Sequence, residues 1–177
     1  MKNSYRRLVS HLTLTIALLC FAFWKGDWRN WQKYALTIAY VIICNFLYNL
    51  LCKDYLLWEH KPDILPKKHY IVELFYLFII LPAITLIYLT HYPFLKKKSH
   101  QLLYIMYWVI GSIIIEFPFV KFERLLLKHG YEYWMEIFFY SAMYLMIRLH
   151  FTRPLLTYGI SVICVVFMVW FFNVPLK

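Results

Sequence analysis

Residues 44–52 read CNFLYNLLC and close the apolar run YALTIAYVIICNFLYNLLC, residues 34–52, which holds no charged side chain. A helix crossing the ~30 Å hydrocarbon layer of a bilayer needs ~20 mostly apolar residues. The run therefore reads as a membrane span, and its two amides, phenol and two thiols are the features to explain. Cys44 and Cys52 lie ~12 Å apart along a helix axis at ~1.5 Å per residue. That exceeds the ~7 Å between Cα atoms that a disulfide tolerates, and one metal ion could not easily join them. Asn45 and Asn49 differ, being one helical turn apart and on one face with Tyr48. At about 100° per residue, Trp31, Tyr34, Ile38, Val41 and Cys52 share that face, while Arg29 and Lys33 fall opposite. The face bearing the amides is expected to look inward.

Composition extends this reading to the whole chain. Of 177 residues 63% are apolar and 21% aromatic, with a mean hydropathy of +0.58. A soluble domain averages ~45–50% apolar residues, so the solvent implied here is lipid. The fold class expected is all-α: a polytopic transmembrane helix bundle, one integral membrane domain over 1–177. Six spans are expected near 8–24, 34–52, 70–90, 102–118, 134–147 and 155–173. The fifth is short and carries Glu136, which makes five spans the alternative. Lys2, Arg6 and Arg7 precede the first segment as in a signal peptide. No small-x-small cleavage site follows, so the segment is expected to stay as an anchor. Residues 122–130, FERLLLKHG, are expected to continue the fourth helix into the interface with Gly130 as its stop. Pro118 is expected to kink that helix, and Asp27 to cap the second.

The net charge is +10. Basic residues sit between apolar runs, where anionic lipid headgroups are the simpler partner and nucleic acid is not expected. Lys and Arg number eleven on the side of the termini and eight on the other, placing both termini in the cytoplasm and the chain in the cell membrane. Cys20, Cys44, Cys52 and Cys164 all lie in apolar runs without a CxxC pair, as buried reduced thiols would.

The polar residues inside the spans are sorted by depth. Asn45, Asn49, Glu73, Glu116 and Glu136 fall at similar depth on one side of an up-down bundle. They can hydrogen-bond between helices as glue, or line a proton or cation pathway. Arg148, His150 and Arg153 lie on the opposite side, and Trp28, Trp31, Tyr34, Trp58 and Trp134 suit interfacial anchors. No GxSxG, HExxH, P-loop or GxGxxG motif occurs. His60, Asp63 and His69 are spaced as weak metal ligands amid prolines and lysines. No metal, no cofactor and no enzymatic activity are expected.

The blocks GDWRNWQKY (26–34), LYNLLCKDYLLWEH (47–60), IYLTHYP (87–93), RLHFTRPLL (148–156) and FFNVPL (171–176) resemble an uncharacterised family of small multi-pass membrane proteins from spore-forming Gram-positive bacteria of the Bacillus and Clostridium type. The resemblance implies a bacterial cytoplasmic membrane and supports the span count; it carries over no activity, ligand or catalytic residue. The function expected is that of an accessory or structural membrane protein acting through lateral contacts with lipid, another membrane protein or a second copy. The alternative is a small proton or cation transporter or channel.

Overall fold

Long apolar runs satisfy their backbone groups most simply as helices, and the computed structural model, which describes residues 16–60 and 74–175, is mostly helical. Its six helices among the described residues are α1 (Ile16–Lys25), α2 (Gln32–Leu51), α3 (Tyr76–His91), α4 (Lys98–Lys121), α5 (Glu136–Thr152) and α6 (Pro154–Phe171). Three of them, α2, α4 and α6, are long and apolar enough to cross a membrane. Glu73, Asp63 and His69 lie outside the described residues.

The described part of Met1–Ile43 and His60–His91 forms one compact unit; Cys44–Glu59 with the described part of Tyr92–Lys177 forms a second. In the first, α3 opens with a π turn over Tyr76–Ile80. The wider turn directly precedes Pro82, whose nitrogen has no proton for the carbonyl of Phe78 and whose ring would crowd it. The α1–α2 connection is tied to α3 where Asp27 N–H donates to Thr90 Oγ1 at 3.2 Å. Asp27 does not cap α2: its carboxylate accepts from Asn30 Nδ2, because a 3-10 turn over Trp28–Asn30 intervenes before Gln32. The same turn explains Trp31, which is 50% exposed rather than inward. It precedes the helix, so extrapolating the helical period to it fails. Tyr34, Val41, Tyr48 and Cys52 are buried on the expected face, joined by Thr37 and Tyr40.

Gly26 closes α1, donating to Ala22 O at 2.7 Å beside Trp28 Nε1, which reaches the same carbonyl at 2.6 Å. A Cβ on Gly26 would lie 2.5 Å from that oxygen and 3.1 Å from Leu86 Cδ2. Gly26→Ala is expected to lower stability by roughly 1–3 kcal/mol in a detergent unfolding titration, whereas Gly111→Ala, inside α4 with open space for its Cβ, is expected to raise it by up to ~1 kcal/mol.

In the second unit α5 packs against both α4 and α6. The segment after α4 corrects the sequence expectation. The helix ends at Lys121 and 122–130 do not continue it. Glu123 takes a left-handed φ of 54°, with Glu123 N–H donating to Val120 O and Arg124 N–H to Phe119 O. This is a Schellman ending built on Glu instead of the usual glycine. Asn173, φ 49°, ends α6 with the same pair of bonds, to Trp170 O and Val169 O. Pro118 sits in the last turn of α4, and Gly130 serves a turn after the strand, not a helix stop. Released from the helix, Leu125–Leu127 forms strand β2, paired with β1 (Trp58–His60). The ladder edge carries Lys128 N–H to Leu57 O at 2.8 Å and an ion pair between Lys128 and Glu59.

α5, expected short, extends through Arg148 and His150 to Thr152, ~25 Å at ~1.5 Å per residue. The cysteines divide: Cys52 is buried and Cys44 half-buried, but Cys20 and Cys164 are exposed, a correction to the expectation of four buried thiols. Both stand on helix faces that no described side chain covers.

Candidate functional site

Amphipathic polar groups at helix ends gather where the ladder meets α4 and α5. Glu136 begins α5, directly after a 3-10 turn over Tyr133–Met135. That turn is pinned to α4, since Tyr133 OH donates to Ile113 O at 2.5 Å and its ring packs 5.9 Å from that of Phe117. The pin sets Glu136 within electrostatic reach of Glu116, one turn before the end of the α4 span. Glu136 is only 3% exposed. Tyr140, one turn further along α5, lies within electrostatic reach of Glu116, and the Tyr131 phenol within reach of Glu136. Burial, and after it the Glu136 and Glu116 carboxylates, hold the Tyr131 phenol above its ordinary range. It therefore stays protonated beside Glu136.

One wall of the site is aromatic. Trp58 stacks on Tyr48 with centroids 4.0 Å apart and planes 5° from parallel. It meets Tyr131 at 5.3 Å and Phe139 at 5.0 Å, and Tyr131 reaches Phe172 at 5.6 Å. The Tyr48 hydroxyl accepts the N–H groups of Leu57 at 2.9 Å and Trp58 at 3.2 Å. A single side chain of α2 thereby fixes the strand that carries Trp58.

The residues expected as one cluster are distributed as follows. Glu116 and Glu136 are together. Asn49 Nδ2 donates to Asn45 O at 3.0 Å and to Asn45 Oδ1 at 3.1 Å, so both its amide hydrogens return to its own helix. The interfacial aromatics Trp28, Trp31 and Trp134 are exposed, Tyr34 is buried and Trp58 is half-buried in the stack. At the opposite end of the unit Arg153 is exposed and Arg148 half-buried, while His150 is 1% exposed with Nε2 3.1 Å from Tyr158 OH. Sequence reasoning missed Tyr140 and the inward role of Tyr131. Tyr140 was findable, four residues from Glu136 and so on its helical face. Tyr131 was not, because its approach depends on the ladder. Among the described residues no three His, Cys, Asp or Glu side chains converge as metal ligands, and His60 stacks on Tyr76 at 4.3 Å.

Two carboxylates within electrostatic reach repel where water is scarce, and a proton or small cation between them relieves the repulsion.

Comparison with known protein families, with curated proteins and with solved structures found no match to this chain.

Proposed function

We propose that this chain is an accessory or structural membrane protein working through lateral contacts with lipid, other membrane proteins or further copies of itself. The observation that carries the reading is the bare apolar flank of α6. Thr157 is its one buried residue, while Val162, Ile163, Val166, Phe167 and Trp170 are all exposed. A flank so apolar suits hydrocarbon or a neighbouring helix, not water. In this reading the six helices cross a bacterial cytoplasmic membrane about six times with both termini inside. Cysteine labelling at Lys97 and Lys67 then reports opposite sides. Crosslinking and co-purification of the full chain from native membrane is expected to return a stable partner or a homo-oligomer.

A second reading, a small proton or cation conductor, draws support from Glu136 buried beside Glu116. The two are separated by ion flux into proteoliposomes. The accessory role predicts no flux above protein-free vesicles for the native chain, for Glu116→Gln and for Glu136→Gln. A native flux that either substitution abolishes replaces the accessory role with the conductor.

A further inference from the structure

The acidic residues of the second unit gather at one end, where Lys53, Lys121, Arg124 and Lys128 also lie, and are missing from the other. Asp54, Glu59, Glu116, Glu123, Glu132 and Glu136 all lie towards the ladder end. The other end, built from 92–101 and 148–158, holds no acidic residue and carries Lys96, Lys97, Lys98, Arg148 and Arg153. This end is also ordered from within. The Tyr92 hydroxyl donates to Gln101 Oε1 at 3.2 Å, and Gln101 Nε2 donates to the carbonyls of Phe94 at 3.1 Å and Lys96 at 3.0 Å. Phe94 packs 5.3 Å from Phe151. The Arg148 guanidinium lies 5.9 Å over the Tyr92 ring and donates to Thr152 Oγ1 at 3.1 Å. The loop is thus clamped against the end of α5, and what it displays is set by that clamp. It displays Leu95, fully exposed, immediately before the three lysines. Leu155, 84% exposed, stands beside Arg153 in the same way.

We propose that this end seats anionic phospholipid headgroups, with lipid phosphates on Lys96, Lys97, Lys98 and Arg153 and with Leu95 and Leu155 at the acyl boundary. An acidic protein or a nucleic acid would use the cations but leave both leucines in water. A lipid surface uses cations and leucines together, which is the pairing that interfacial segments exploit. Phe94, half-buried next to Leu95, supplies an aromatic edge at headgroup depth.

The inference rests on the membrane reading above and not on the accessory role. The full chain, in a neutral detergent, is titrated with phosphatidylglycerol or phosphatidylcholine and the bound lipids are counted by native mass spectrometry. Phosphatidylglycerol is expected to bind more than tenfold tighter. Each cation removed by Lys96→Gln, Lys97→Gln, Lys98→Gln or Arg153→Gln is expected to cost roughly fivefold. Leu95→Ser is expected to weaken retention of the same lipid, and Lys53→Gln, at the other end, to leave it unchanged. Equal affinity for the two lipids overturns the proposal, as does an equal loss from Lys53→Gln. If an acidic peptide or an oligonucleotide displaces the lipid while Leu95→Ser has no effect, the surface serves that macromolecule and the lipid assignment falls. The membrane reading fails separately, if the chain leaves native membranes in carbonate without detergent.

Discussion

Tyr48→Phe is expected to lower stability by roughly 1–3 kcal/mol, although it removes one oxygen atom and no hydrocarbon. The reason is the direction of the hydrogen bonds. Tyr48 OH accepts two backbone protons, from Leu57 and Trp58, at a place where Leu57 is wholly buried. Phenylalanine keeps the stack on Trp58 but leaves those N–H groups without an acceptor, and orphaning a buried donor costs ~1–3 kcal/mol. Tyr48→Ala adds the loss of the ring packed 4.0 Å from Trp58, and its cost should exceed that of the phenylalanine variant by a further ~2–4 kcal/mol. Both are read as unfolding midpoints in a denaturant titration of the detergent-solubilised chain. Tyr48→Phe with native stability would mean that Leu57 and Trp58 find other acceptors, and that the strand is not held from α2. A double-mutant cycle with Trp58→Ala isolates the stacking term, for which ~0.5–1.5 kcal/mol is expected.

Tyr144→Ala is expected to cost about 3–5 kcal/mol, and Tyr144→Phe about 0.6 kcal/mol. Tyr144 is 1% exposed on α5. Its ring lies 5.6 Å from that of Trp108 on α4 and 6.4 Å from that of Tyr140, and its hydroxyl is 2.7 Å from Ser112 Oγ. Truncation opens a cavity in the α4–α5 contact, which loses dispersion energy whether the outer solvent is water or lipid. The hydroxyl matters less, since Ser112 can turn its proton to a carbonyl of its own helix. The gap between the two variants is the measurement: equal costs would place the stability in the hydrogen bond instead of the packed ring.

Helix positions were legible because length and hydropathy act locally. The runs at 34–52, 102–118 and 155–173 return as helices of nearly those bounds. α4 begins four residues earlier than its run, at Lys98, because its first turn is polar and hydropathy does not mark it. The buried stripe of α2 was legible for the same reason, since Tyr34, Val41, Tyr48 and Cys52 repeat with the helical period. Helix ends were less so. Glu123 and Asn173 stop α4 and α6 in left-handed conformations that glycine ordinarily announces. With no glycine at 123, FERLLLKHG reads as helix, and the ladder it joins is invisible.

The amino-acid sequence alone therefore determined the helical class, the membrane-compatible lengths and the azimuth of the CNFLYNLLC face, all properties of neighbouring residues along one helix. Only the tertiary structure decided what those side chains meet. It turned the Asn49 amide back onto Asn45, gave Tyr48 a strand to hold, and brought Glu116 and Glu136 together. Which side chains meet across segments depends on where α4 stops and β2 begins, and a period of 3.6 residues carries no information about that.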